Sequence, residues 1–286
     1  MRGALDVLWD VLLDTALDAV KLLPFLFLAY LAIEWIEDRA EEKTVAIIRA
    51  HASWGPVVGA GLGVIPQCGF SAAVSNLYAG GLITRGTLLA VFLSTSDEML
   101  PILISGGVPV AFILKVLAFK FAAGMLVGLL TDAVSRSRGR NRTLHELCER
   151  EDCHCEHGIL RSAVKHTLKI FAFLAVVTFA MNLAVELLGA DRLGSFILNR
   201  PVAGELLAGL IGLIPNCAAS VVLTSLYLQG GISAGAMVSG LLVGSGVGLL
   251  VLLRMDRDWK DDLITLGILY GSGVLLGMAA GFLRLL

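Results

Sequence analysis

Long apolar runs, most near twenty residues, recur along this chain and are separated by short polar interruptions. The pattern predicts helical segments at roughly 8–36, 44–65, 68–80, 85–105 and 108–132. After a polar stretch from about 133 to 158, it predicts more at 160–189, 200–214, 217–230, 234–253 and 262–284. A helix needs about 20 apolar residues to cross the roughly 30 Å of bilayer hydrocarbon. Segments 68–80 and 217–230 are too short for that, so they read as half-helices or as parts of re-entrant hairpins. The expected fold class is all-α, a polytopic membrane protein of about ten helical segments.

The two sides of the polar stretch are related. IPQCGFSAAVSNLYAGGLITRGTLL, from Ile65, matches IPNCAASVVLTSLYLQGGISAGAMV, from Ile214, at an offset of 149 residues. The offset pairs Pro66 with Pro215, Gln67 with Asn216, Cys68 with Cys217, Ser71 with Ser220, and Ser75 with Thr224. It also pairs Tyr78 with Tyr227, Gly86 with Gly235, and Ser96 with Ser245. One helix earlier, VKLLPFLFLAYLA aligns with LKIFAFLAVVTFA at an offset of 148. The chain therefore divides into a five-helix repeat (1–133), a polar loop (134–158) and a second five-helix repeat (159–286). Five crossings per repeat would invert the second against the first, the arrangement of many secondary transporters with a site at the repeat interface.

Composition narrows the class. The 286 residues are 57% hydrophobic and 16% charged, well below the roughly 25% charge of a soluble domain. No signal-peptide pattern is evident, because Asp6, Asp10, Asp14 and Asp18 interrupt the first apolar run. These aspartates share one helix face, read as a solvated or headgroup-level face. No basic, aromatic-interleaved patch points to nucleic acid. Arg136, Arg138, Arg140, Arg142, Arg150, Arg161 and Lys165 place the central stretch on the cytoplasmic side, as do Arg254, Arg257 and Lys260 for the loop near 254–260. Glycines four apart (Gly59 and Gly63; Gly240, Gly244 and Gly248; Gly277 and Gly281) read as close helix packing.

The paired interruptions at Pro66 and Pro215 are the best functional signal. Proline ends the preceding helix, and the next helix then begins inside the membrane with its first N–H groups unsatisfied. Such breaks survive where they line a protein-enclosed or watery cavity, and corresponding breaks in two repeats point to a binding site. Candidate substrate residues are Gln67, Cys68, Ser71, Ser75, Asn76, Asn216, Cys217, Ser220 and Thr224. Hydroxyls near a break commonly bond back to their own helix, and a lone buried cysteine is usually packing. Thiols at both breaks would favour a soft metal or metalloid.

Ser94-Thr95-Ser96-Asp97-Glu98 falls near the middle of the fourth segment, where the other repeat has Val243-Gly244-Ser245-Gly246-Val247. An ionisable residue at that depth is a functional candidate by default. Ser96, Asp97 and Glu98 are candidate coupling residues, with Lys120 as a partner; a structural ion pair inside the bundle is the alternative. In the polar loop, Cys148, Cys153, His154, Cys155 and His157, with His145 upstream, suit Zn²⁺ or another thiophilic ion, although their spacing is not that of a standard zinc finger.

At these residues the sequence resembles a ten-helix heavy-metal and arsenic efflux family, itself similar to the organoarsenical permeases. The motifs that carry the likeness are IPQCGFSAAVSNLYAGG, FLSTSDEMLP, Cys153-His154-Cys155-Glu156-His157-Gly158 and IPNCAASVVLTSLY. The resemblance implies a multi-pass exporter of the prokaryotic inner membrane, with substrate cysteines at the broken helices, here Cys68 and Cys217. Manganese is a further substrate the resemblance suggests.

The favoured function is a proton-coupled secondary exporter of a heavy metal, metalloid or organometalloid. It would need no cofactor beyond a metal ion at the central loop, and its partners would be a small solute or ion, lipid and a second copy of itself. The chain has no Walker motif. The alternatives are a carrier of a small organic or inorganic anion, an intramembrane enzyme using Asp97 and Glu98, and a membrane sensor. For the enzyme, no activated nucleophile accompanies the carboxylates.

Overall fold

The computed structural model describes residues 52–65, 68–96, 98–135, 201–255 and 259–283, with single positions between 9 and 31 and between 164 and 183, all helical. No strand occurs among the described residues. A 3-10 turn at Ala52–Trp54 leads into α1 (Gly55–Gly63), α2 (Cys68–Ala79), α3 (Arg85–Ser94), α4 (Met99–Ser105) and α5 (Val110–Ser135). Then follow α6 (Ala203–Gly212), α7 (Ala218–Leu228), α8 (Ala234–Val243), α9 (Gly248–Met255) and α10 (Trp259–Phe282).

The close glycine contacts give the directions. Gly55, at the start of α1, faces Thr87 at the start of α3, and Gly63 faces Ser94, so α1 and α3 run parallel. The intervening α2 must return, and α1 and α2 form a helical hairpin. At nine residues α1 rises only about 14 Å, half a hydrocarbon core. Gly86 meets Gly128 and Asp132, while Gly124 meets Ala90 and Ser94, so α5 runs back along α3. The second half repeats the pattern. Glu205 of α6 meets Gly235 of α8, and Gly212 meets Gly240, so α6 and α8 are parallel. Gly277 and Gly273 of α10 meet Ser239 and Val243 of α8 in antiparallel order.

One expectation is corrected. The segments 85–105 and 234–253, read as continuous helices, are each broken. The first parts after Ser94 and resumes at Met99; the second parts after Val243 and resumes at Gly248. Of the readings left open for the short segments, the structure takes the hairpin: helices 55–63 and 68–79, and helices 203–212 and 218–228, each turn back on one another. The local chemistry explains each feature. Thr84 and Ser233 occupy equivalent N-cap positions and accept from Thr87 N at 3.1 Å and Ala236 N at 3.0 Å. The hairpin helices α2 and α7 end at Gly81 (φ 70°) and Gly230 (φ 74°), again 149 apart, with the following N–H returning to Leu77 and Leu226.

The half-helices α3 and α8 form the centre: every residue from Gly86 to Ser94 and from Gly235 to Val243 is buried. Around them, α5 exposes Leu114, Leu126 and Leu130, and α10 exposes Leu263, Leu275 and Phe282, an apolar surface suited to lipid. Helices Val110–Ser135 and Trp259–Phe282 are long and apolar enough to span a membrane, as are the broken pairs 85–105 and 234–255 taken end to end.

At Gly212 an added Cβ would run into the Gly240 backbone, whereas at Gly271 it would meet open space. Gly212→Leu is expected to abolish the monodisperse peak in detergent size-exclusion chromatography. Gly271→Ala should raise thermal stability by about 0.5–1 kcal/mol, the cost of glycine within a helix; a loss would contradict the open face.

Candidate functional site

The breaks meet across the two halves. Helix α2 packs along α9, and α7 packs along α4. Gly248, first residue of α9, lies against the backbone of Ser71, where any side chain would collide. The Ser75 hydroxyl sits 2.8 Å from the carbonyls of both Ser71 and Gly248, and its single proton is shared between its own helix and the other repeat's break. Ser71, Ser75 and Asn76 are buried.

The repeat-related contact differs. Ser75 corresponds to Thr224, but Gly248 corresponds to Met99, a fully buried and bulky residue. Thr224 Oγ1 is buried with no hydrogen-bond partner. Asn216 and Cys217 are buried at the start of α7; Asn216 Oδ1 lies 3.5 Å from Ala218 N. The Ser220 hydroxyl donates to Cys217 O at 2.7 Å. Of the nine substrate candidates, the structure thus gathers Ser71, Ser75 and Asn76 at one crossing and Asn216, Cys217, Ser220 and Thr224 at the other hairpin. Cys68 opens α2. Pro66 and Gln67 lie outside the described residues, as does the side chain of Cys68.

At the break after α3, hydroxyls fold back onto the end of the helix, beside the Thr95 N–H that already bonds Val91 O. Thr95 Oγ1 and Ser94 Oγ donate to Val91 O at 2.7 and 3.1 Å, and Ser96 Oγ donates to Ser94 O at 3.0 Å. The corresponding residue to Thr95 is Gly244, which has no hydroxyl. There Lys120, 1% exposed, reaches across from α5 and donates to Leu241 O at 2.5 Å. A cation at a helix C-terminus is favourably placed against the axial dipole. Glu98, half-buried, is the N-cap of α4 without a side-chain cap bond. Asp97 lies outside the described residues, as do His145, Cys148, Cys153, His154, Cys155 and His157. Among the described residues, no group of three or more His, Cys, Asp or Glu side chains converges.

Four charged residues that sequence reasoning passed over shape the ends of the bundle. Arg85 pairs with Asp261, and Tyr78 Oη donates to Asp261 at 2.6 Å, tying α2 and α3 to α10. The equivalents of Tyr78 and Asp261 are Tyr227 and Phe112, and these stack at the opposite end with centroids 5.7 Å apart and planes within 6°. Asp132 accepts from Thr84 Oγ1 at 2.6 Å and Gly86 N at 2.8 Å, at the start of α3. Glu205, from a different helix, takes the equivalent place at the start of α8. A signal was available: set against its repeat, each of these charges faces an uncharged residue (Ala234, Phe112, Gly281 and Pro56).

Replacing Lys120 by Met would strand a buried carbonyl. The expected loss is about 1–3 kcal/mol, read as a lower melting temperature in detergent. Lys115→Met, on the exposed side of the same helix, should stay within about 0.5 kcal/mol of the parent. Equal effects would remove the special role of Lys120.

Among curated proteins and among solved structures, no match to the chain is found. A family model does match, over residues 4–186, a span that includes the first hairpin, the first broken helix and the central loop. On that match, the chain belongs to the ArsP_2 family, whose description is "Putative, 10TM heavy-metal exporter".

Proposed function

We propose that this protein is a proton-coupled secondary exporter of a heavy metal, metalloid or organometalloid, built as two inverted repeats in a prokaryotic inner membrane. Family membership supports transport of this class. The observation that carries the site is the set of interruptions at 64–67, 95–98, 213–217 and 244–247. Backbone breaks at membrane depth are tolerated where they face protein or a water-filled cavity. Their helix ends supply donors and acceptors, and Thr224 Oγ1 supplies a buried polar atom with nothing yet to bond. In this reading Gln67, Cys68, Ser71, Ser75, Asn76, Asn216, Cys217, Ser220 and Thr224 line the substrate path. The thiols contribute soft ligands, and Ser96, Asp97, Glu98 and Lys120 form a coupling region beside it.

The antiparallel directions of the hairpins support inversion. The α1–α2 hairpin opens toward the end that holds Arg85 and Asp261, and the α6–α7 hairpin opens toward the other. The end of α5 and the start of α10 lie together at the first of these ends. The arginine-rich central stretch and the loop with Arg254, Arg257 and Lys260 therefore share one side, which the positive-inside rule makes cytoplasmic. Rocking one repeat against the other would expose the path alternately. The Tyr78–Arg85–Asp261 contact would close the cytoplasmic end, and the Phe112–Tyr227 stack would close the other.

The test is growth protection of a metal-sensitive host against arsenite, methylarsenite, manganese and zinc, with intracellular content measured. Expression should lower the content of at least one. Cys68→Ser with Cys217→Ser should abolish protection against a metalloid, whereas protection that survives the double change favours an anion carrier. Asp97→Asn and Glu98→Gln, made separately, should alter the pH dependence of export; unchanged activity and pH profile in both would remove the coupling assignment.

A further inference from the structure

Two repeat-related crossings join the halves, α2 on α9 and α7 on α4, and they are built differently. In the first, the backbones touch. A Cβ on Gly248 would stand 2.7 Å from Ser71 Cβ and 2.8 Å from the Ser71 carbonyl carbon and oxygen. The Ser75 hydroxyl adds its 2.8 Å contact to Gly248 O. At the far end of α2, Tyr78 donates to Asp261, which Arg85 also holds. Small residues permit such close backbone approach in lipid, and hydrogen bonds, which weaken steeply with misalignment, fix its register.

In the second crossing, Met99 stands where the repeat has Gly248 and Ser220 where it has Ser71. Met99 carries a Cβ of its own, so the backbone contact of Gly248 with Ser71 cannot be reproduced there. Thr224, the equivalent of Ser75, is fully buried, and its Oγ1 has no hydrogen-bond partner among the described residues. The contacts that join this side are apolar. Leu228 at the end of α7 covers Gly106 just past α4, and Tyr227 stacks on Phe112 at the start of α5. Apolar attraction is non-directional, so it survives a small slide that would break the Ser75 bond. Packed helices move on one another by such shear.

We propose that Met99 is a wedge that leaves the α4–α7 crossing loose, so that in the empty protein α7 shifts on α4 while α2 and α9 move as one piece. The α6–α7 hairpin opens toward the end opposite Arg85 and Asp261. The shift therefore admits solvent from that end, away from the arginine-rich stretch. The inference rests on the alternating-access exporter reading, to which it assigns the moving joint, and it can fail separately from it.

The test is hydrogen–deuterium exchange of the full-length protein in lipid nanodiscs without substrate, read by mass spectrometry on peptides from the four helices. Amides of α4 and α7 should exchange severalfold faster than those of α2 and α9. Gly248→Ala sets a wedge in the other crossing and should raise exchange in α2 and α9 toward the α4–α7 level. Ser75→Ala covers the case in which the Gly248 variant does not fold; it removes the bond alone and should raise the same peptides by less. Met99→Gly together with Thr224→Ser rebuilds the first arrangement at the second crossing and should slow α4 and α7. Equal exchange at the two crossings of the parent, or rates that all of these changes leave as they were, overturns the proposal while leaving export untouched. The expected pattern, in a protein that exports no metal, upholds the loose joint and overturns the exporter reading instead.

Discussion

Backbone amides and carbonyls cannot be left bare in hydrocarbon, and the rest of this architecture follows from that constraint. Four interruptions of helix are present, each freeing several such groups. At two of them side chains add bonds: Ser75 to Gly248 O and Lys120 to Leu241 O come from other helices at the 244–247 break, and Thr95 and Ser94 fold back onto Val91 O at the 95–98 break. The interruptions thus have to face protein, and the fully buried α3 and α8 are the axis around which they gather. Stability and site come from one arrangement, since the groups that could hold a solute are those released by the breaks.

The duplication has diverged where the physics allows. Helix caps and glycine turns are kept at the same offset, because the geometry of a hairpin and of a helix start depends on them. Side chains that merely satisfy a group have changed places. Hydroxyls of its own segment serve the carbonyl at Val91, whereas in the other half an ammonium from another helix serves Leu241, one residue beyond the equivalent Gly240. A carboxylate reaches the start of α3 from α5, but the start of α8 from α6.

Much of this was legible in the sequence. The helical class could be read from the long apolar runs, and the paired prolines and the fixed offset stood out as sequence patterns because proline, cysteine and glycine carry backbone meaning independent of packing. The breaks in the middle of 85–105 and 234–253 were hidden for a physical reason. Serine and threonine can return a hydrogen bond to their own helix, so Ser94-Thr95-Ser96 reads equally as continuous helix or as its end. Gly244-Ser245-Gly246 was the clearer mark, with Gly246 at φ 55°. The hairpin geometry was left open because a nine-residue apolar run does not state whether the chain continues or returns. Glu205 and Arg85 drew no attention, since a single charge near a predicted helix end is ordinarily exposed. Only the tertiary contacts bury one and bridge the other.

The unlike closures of the two ends have an energetic consequence. A perfect inverted duplicate would populate its two faces equally, because each closed end would be the mirror of the other. In the exporter proposed above, replacing one ion-linked tyrosine by a ring against a ring would break that degeneracy and give the empty protein a preferred resting face. The bias would also be adjustable: mobile ions weaken a charged contact and leave an aromatic one nearly untouched, so ionic strength would redistribute the two faces. Such a bias would set where the cycle waits, not which way net flux runs, since the latter belongs to the gradients on either side.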